Sequence, residues 1–331
     1  MNHPRLLSVL FCFALVPMSC WSADPPAASS SLAFADVGTD PVLVAPGVIS
    51  TGDDDAHATL SPDGRRLYFV KSTPSFDFWT LAVSEWSGTA WSRPRTLPFS
   101  GQYGDGDLAF APDGGRAYFV SMRPFDGVPR SDTEIWTVEV TARGWGEPKH
   151  VSALSSPGDE WFPTFTRDGT MYFGSSRPGG EGGHDIWRAA VVDGAVQRPE
   201  NLGPPVNSAG EEIEALVSPD GNRLVIAAKN RGDAMGEYDL YLAKRREDGA
   251  WEEPRNLGPP INSTGWDFGP RLSPDGRLFF FTSNRGFGSS PLPRALTFDE
   301  LEQRIRSPHN GLRDIYVIDA TVLESEPAST R

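Results

Sequence analysis

Residues 201–210 read NLGPPVNSAG, and residues 256–265 read NLGPPINSTG. Two nearly identical stretches 55 residues apart point to a structural unit of about that length, used more than once. Asp-Gly pairs set the period. They fall at Asp63, Asp113, Asp168, Asp220 and Asp275, in SPDGRRLYF, APDGGRAYF, TRDGTMYF, SPDGNRLVI and SPDGRLFFF, with spacings of 50, 55, 52 and 55. An apolar residue stands three before each Asp (Leu60, Phe110, Phe165, Val217, Leu272), and a β-rich run follows. Pro-Asp-Gly between two such runs reads as a hairpin turn, because Pro fixes φ and Gly accepts φ > 0.

Each unit continues with an acidic-apolar-aromatic strand start: DFW at Asp77, EIW at Glu134, DIW at Asp185, DLY at Asp239 and DIY at Asp314. A fourth strand is anchored by WSRP (91–94), WGEP (145–148) and WEEP (251–254), with VQRP (196–199) in the third unit. NLGPPVNSAG is then the end of an outer strand and the crossing to the next unit. Four strands in about 50 residues, repeated in a ring, describe the blades of a β-propeller. The fifth unit stops after DIYVIDATVL, without an outer strand. Residues 41–52, PVLVAPGVISTG, resemble residues 254–265, PRNLGPPINSTG, yet precede the first unit. They can supply the missing strand and close the ring, leaving no open sheet edge. The expectation is an all-β, five-bladed propeller of four-stranded antiparallel blades, with six blades as the alternative. The repeats span about 53–104, 105–158, 159–210, 211–265 and 266–323 plus 41–52, in one domain over 37–323.

At the N-terminus, MNHPRLLSVLFCFALVPMSCWSA has one Arg, an apolar run over 6–16 and then small residues. This is the layout of a secretory signal over 1–23, too short for a membrane span. A rival reading makes Cys20 a lipid-modified anchor in the outer membrane, although Pro17 stands where a bacterial lipobox has Leu. Both cysteines, Cys12 and Cys20, lie in this segment, so the mature chain has no thiol for a disulfide or a zinc-cysteine site. Residues 24–36 read as a flexible tether and 324–331 as a disordered tail. The net charge of -14, without a basic patch, excludes a nucleic-acid surface. Export places the chain in the periplasm or outside the cell.

Together these units resemble the WD40-like PD40 repeats of the TolB-type propeller family. The third unit, DEWFPTFTRDGTMYFGSSRPGGEGGHDIW, carries nearly all of that pattern, and the resemblance covers roughly residues 40–322. It implies a propeller that serves as a binding platform, as an assembly factor or as a domain of a larger enzyme. The chain departs from the six-bladed TolB arrangement by showing five units, and shows no additional N-terminal domain of the TolB kind.

Counting back eight residues from each Asp of the Asp-Gly pairs gives Asp55, Asp105, Glu160, Glu212 and Asp267. With 44 acidic residues in 331, five of five by chance is on the order of one in tens of thousands. Asp53, Asp54, Asp107, Asp159, Glu211 and Glu214 cluster beside them. These acids are expected to converge at one mouth of the channel, with His57 and Asp107 nearby. There they serve either as braces to Arg123, Arg177 and Arg285, or as a ligand- or cation-facing ring suited to Ca²⁺. Thr73 and Asn230 occupy the Arg position in the other two units, so the brace is not expected to be uniform. Trp161 and Trp266 stand next to the acids and could wall a sugar or peptide site, or simply pack.

No HExxH pair, G-x-S-x-G elbow, P-loop or dinucleotide fingerprint occurs. His184, His150 and His309 read as loop residues. Residues 287–313 are the one break in periodicity. Within them TFDELEQRIR has Thr297 as N-cap and acids in its first turn, a short helix whose buried stripe would be Phe298, Leu301 and Ile305 if it faces the channel. The functional expectation is a non-catalytic scaffold in the cell envelope for a protein or carbohydrate partner. The alternative is a glycosidase-like enzyme using channel carboxylates.

Overall fold

The computed structural model describes residues 33–324 except 193 and 289. The predicted leader, most of the tether and the tail after 324 lie outside the described residues. Five inner strands, Asp54–Leu60, Asp105–Phe110, Glu160–Phe165, Glu211–Val217 and Asp267–Leu272, each begin a blade. Each pairs antiparallel with a second strand (Arg66–Ser72, Arg116–Ser121, Met171–Ser175, Arg223–Lys229, Leu278–Ser283). The third strands, Trp79–Glu85, Glu134–Thr141, Asp185–Ala189, Asp239–Lys244 and Asp314–Asp319, follow. Outer strands are only two residues long: Arg95–Thr96, Lys149–His150, Glu200–Asn201 and Arg255–Asn256. In the fifth blade the outer strand is Val42–Leu43, paired as Val42 with Val317 and Leu43 with Tyr316. The ring therefore has five blades and is closed by its N-terminal end.

The turn chemistry matches the sequence. Gly64 sits at φ 66°, its N–H donates to Ser61 O at 2.8 Å, and Ser61 Oγ reaches Asp63 Oδ1 at 2.5 Å. Sheets in a ring are covered on both faces, which removes the usual in-out alternation. Phe279, Phe280 and Phe281 are consecutive in one strand and are all buried. Trp91 and Trp251 lie ahead of the outer strands, where they bridge back to the third strands at Trp86 and Arg245. In the third blade the hairpin Val191–Val192 with Ala195–Val196 takes that place.

Two expectations are corrected here. Phe34, read as part of a tether, packs on Trp91 at 5.9 Å and on Phe280 at 5.5 Å. The inserted helix, Phe298–Ile305, has the expected Thr297 capping box, but its stripe is not buried. Phe298, Leu301 and Ile305 are 71%, 41% and 58% exposed. The insertion lies over the seam between the first and fifth blades, where a Cβ on Gly52 would stand 2.0 Å from Arg306 O.

Candidate functional site: the channel hub

The site is built in layers along the inner strands. The outermost layer holds the five repeated acids, and all five are fully buried. Each meets a cation from the second-strand side of its own blade: Asp55–Lys71 2.9 Å, Asp105–Arg123 2.8 Å, Glu160–Arg177 3.0 Å, Glu212–Arg231 2.9 Å and Asp267–Arg285 2.9 Å. Each also accepts a hydroxyl from the incoming crossing: Thr51, Ser100, Ser156, Ser208 and Ser263, at 2.6 to 2.8 Å. The brace is therefore uniform in charge, which corrects the expectation drawn from Thr73 and Asn230. Lys71 arrives from two residues earlier. Asn230 turns through φ 64° and delivers Arg231 from one residue later.

Burial pushes Asp55 up, opposed by Lys71. Glu160 is pushed up to about 7 by burial, against the pull of Ser156 and Arg177 and with Glu134 adding repulsion. Among the described residues no group of three or more His, Cys, Asp or Glu side chains is gathered as a metal site.

Two positions further along, the five inner strands carry His57, Asp107, Phe162, Glu214 and Gly269. Every inner strand has a register shift here. His57, Asp107, Phe162 and Gly269 take φ of 54°, 54°, 50° and 65°. A bulge re-aims a side chain, and left-handed backbone at a non-Gly residue persists only where the surroundings hold it.

Here the bulges build one chain of contacts through the centre. Asp107 Oδ2 accepts from Phe162 N at 3.2 Å, and Asp107 Oδ1 meets His57 Nδ1 at 2.7 Å. His57 Nε2 lies 2.9 Å from Glu214 Oε1, close but poorly aligned for a hydrogen bond. Glu214 Oε2 accepts from Gly269 N at 2.5 Å. All five blades are tied at this level. Gly269 is required, since a Cβ would come 2.8 Å from His57 Cδ2.

Burial pushes the His57 imidazole down, but Asp107 and Glu214 outweigh it and raise its pKa to about 10. Asp107 is held low: burial raises it, and the charge and hydrogen bond of His57, with the charge of Arg271 and the Phe162 N–H, together lower it by more. His57 is an imidazolium between two carboxylates at neutral pH.

One step beyond lie Thr59, Ala109, Thr164, Leu216 and Arg271. Arg271 is 5% exposed, and its guanidinium stacks on Phe162 at 3.6 Å from the ring centroid. Its Nε donates to Thr59 Oγ1 at 3.2 Å, while Nη1 and Nη2 have no hydrogen-bond partner. Burial lowers its pKa to about 10, against Asp107 and Glu214, so it remains charged at neutral pH. These five residues line a cavity of about 320 Å³ that opens between the Asp-Gly turns.

Of the residues singled out in the sequence, the structure brings His57, Asp107 and Glu214 together. It places Asp55, Asp105, Glu160, Glu212 and Asp267 in separate intra-blade ion pairs. Trp161 packs near Trp79 at 6.4 Å, and Trp266, 39% exposed, lies against Tyr238 at 5.6 Å. His184 stands 3.8 Å from Glu211, and His150 stacks on Phe125. Asp185 and Asp239 close their loops by accepting backbone N–H groups of Glu181 and Met235. Sequence reasoning missed Phe162 and Arg271. The signal was present: six and four residues before each Asp, the repeat carries residues of different kinds.

Fold and site define a five-bladed β-propeller with a charged hub. Among solved structures it is similar to a TolB-like protein from Agrobacterium tumefaciens (16% identity, 81% of this chain and 90% of that one, TM-score 0.47). It is also similar to an α-L-arabinofuranosidase from Lactobacillus brevis (14%, 83% and 92%, TM-score 0.46). A puromycin-hydrolysing peptidase from Mycobacterium tuberculosis matches at 19% identity over 71% of this chain and 35% of its own, TM-score 0.42. At these identities the likeness concerns the fold. No protein-family model matches the chain, and no curated protein matches it.

Proposed function

We propose that the chain is an exported, non-catalytic binding propeller of the cell envelope, which engages a protein or a small ligand rather than cleaving one. One observation carries this reading. Every carboxylate of the channel layers is buried and matched by a cation, leaving no accessible acid and base to divide the work of glycoside hydrolysis. Burial pushes the pKa of Glu160 up to about 7, but the side chain is fully buried and cannot exchange a proton with a substrate. The leader-like residues 1–23 support export, and the acidic net charge of -14 supports a partner other than nucleic acid. No helix among the described residues is long and apolar enough to cross a membrane.

Two experiments test the reading. The mature protein, incubated with a panel of aryl glycosides, is expected to release no aglycone above a blank; turnover abolished by Glu214→Gln would establish the enzyme instead. Capture from a periplasmic extract should retain a specific partner that Asp-Gly-face variants fail to retain. For the carboxylates, calcium up to millimolar concentration is expected to leave the melting temperature unchanged, because an ion bound only to the folded state would raise it by mass action. A rise abolished by Asp105→Asn would restore a cation site.

A further inference from the structure

The exposed apolar side chains are not spread evenly over the ring. Among the described residues twelve large ones are exposed. Ten of them, Phe78, Trp266 and Phe287 included, lie in the crossings or in the loops between second and third strands. That is the end of the channel opposite the Asp-Gly turns. Five of the ten belong to the insertion of residues 287–313, whose helix turns Phe298, Leu301 and Ile305 to solvent. An apolar patch gathered on one face marks a contact surface.

The helix is held in place rather than left to fray. Beyond its capping box, Arg294 makes two bonds to Glu300, at 2.9 and 2.6 Å, and Arg304 lies 3.8 Å over the Phe287 ring. Asn310 Nδ2 donates to Ile305 O at 2.7 Å and to Gly52 O at 2.9 Å, pinning the helix end to the crossing of the first blade. Eight residues of helix are marginal alone in water, so these ties present a pre-organised apolar stripe.

Charge names the occupant. The chain carries -14, yet the insertion holds four arginines against one Asp and two Glu. Against the acidic remainder of a second copy, this segment is attracted rather than repelled. Along the helix the acids come first, Asp299, Glu300 and Glu302, and Arg304 and Arg306 follow. A two-fold axis across the stripe brings a second helix in antiparallel, so that each acidic half meets a basic half. Asp299 and Arg306 share one edge of the stripe, two turns apart. Asp299 is exposed and has no ion pair among the described residues, and Arg306 is 76% exposed although it bonds Glu302. An anionic lipid surface fits worse, because the net charge of -14 opposes it.

We propose that the insertion face is a two-fold interface between copies of this chain. The stripes of Phe298, Leu301 and Ile305 pack antiparallel, and Asp299 of each copy stands opposite Arg306 of the other. This goes beyond the binding reading above and does not depend on it. The two Asp-Gly faces then point outward, both uncovered. Two helices only about 12 Å long cannot by themselves bury the roughly 800 Å² per partner of a standard interface, so the association is concentration-dependent.

Sedimentation velocity of the mature protein at physiological salt, from about 5 to about 500 μM, tests this. The wild type is expected to shift from monomer to dimer with concentration. Ile305→Glu, at an exposed position, should abolish the shift and leave the melting temperature unchanged. Asp299→Arg and Arg306→Asp should each weaken the dimer about tenfold, because like charges then face each other twice. An equimolar mixture of these two variants should dimerise again, since each supplies the charge that the other lacks. A wild type monomeric throughout, a dimer indifferent to Ile305→Glu, or a mixture no better than its parts would each overturn the proposal. Flotation of a monomeric wild type with phosphatidylcholine vesicles would overturn it too, and would assign the stripe to a lipid surface.

Discussion

His57 is placed where one side chain must satisfy two carboxylates from different blades, and its protonation state is part of the fold. Removing it leaves Asp107 and Glu214 buried with no cation between them, a change that costs about 3–5 kcal/mol when one partner of a buried pair is lost. His57→Gln is therefore expected to lower the urea midpoint markedly at neutral pH. The pH dependence has a fixed sign. The folded pKa of about 10 lies above the ordinary value of 6.5, so the contribution of His57 is fully present below pH 6.5. It declines as pH rises and is lost through about pH 10. The stability gap between wild type and His57→Gln should shrink across that window, and a gap constant from pH 6.5 to 10 would show a neutral imidazole. This hub was half legible in the sequence. Asp55, Asp105, Glu160, Glu212 and Asp267 drew notice because all five are alike, and likeness in a repeat marks the blade. The residues that differ, His57, Phe162, Glu214 and Arg271, come together only because the strands bulge, and a bulge leaves no mark in composition.

At the scale of the element, NLGPPVNSAG and its copy recur because the crossing has its own hydrogen bonds. Asn262 presents Oδ1 to Leu240 N and Nδ2 to Leu240 O, both at 2.9 Å, as a neighbouring strand would. Asn207 does the same for Ile186, at 2.8 and 2.9 Å. The Ser that follows caps the acid of the next inner strand, as Ser208 does for Glu212 and Ser263 for Asp267. In these two blades the Asn side chain continues the pairing beyond the two-residue outer strand. Asn262→Ala should cost about 1–3 kcal/mol for each backbone group it orphans, measured by urea denaturation, and Asn207→Ala should match it. A loss under about 0.5 kcal/mol would mean that the turn, not the amide, carries the crossing. The inserted helix shows the opposite limit. Its cap and its apolar stripe were readable from TFDELEQRIR, but periodicity states which face is apolar and not whether anything covers it.

On the scale of the whole molecule, stability rests on the seam between the first and fifth blades, where chain ends meet. Val42 and Leu43 pair with Val317 and Tyr316, and Val44 N donates to Ile315 O at 2.9 Å. Ser50 Oγ donates to the same carbonyl at 3.0 Å. Across the seam Arg313 grips Asp54 through Nε at 2.6 Å and through Nη2, and Asp55 N donates to Arg313 O at 2.8 Å. Val44 and Ile49 are fully buried, and each contributes about 1.5–3 kcal/mol by leaving water. Deleting residues 37–52 removes this burial and bares the edge of Asp314–Asp319, an invitation to pair with another chain. The truncated protein should melt well below wild type, more so than either Asn variant, and should self-associate in sedimentation. A synthetic peptide of residues 37–52 should restore the melting temperature in a concentration-dependent way, because it binds only the folded ring. A truncated chain that melts like wild type would mean that the hub alone holds the ring closed.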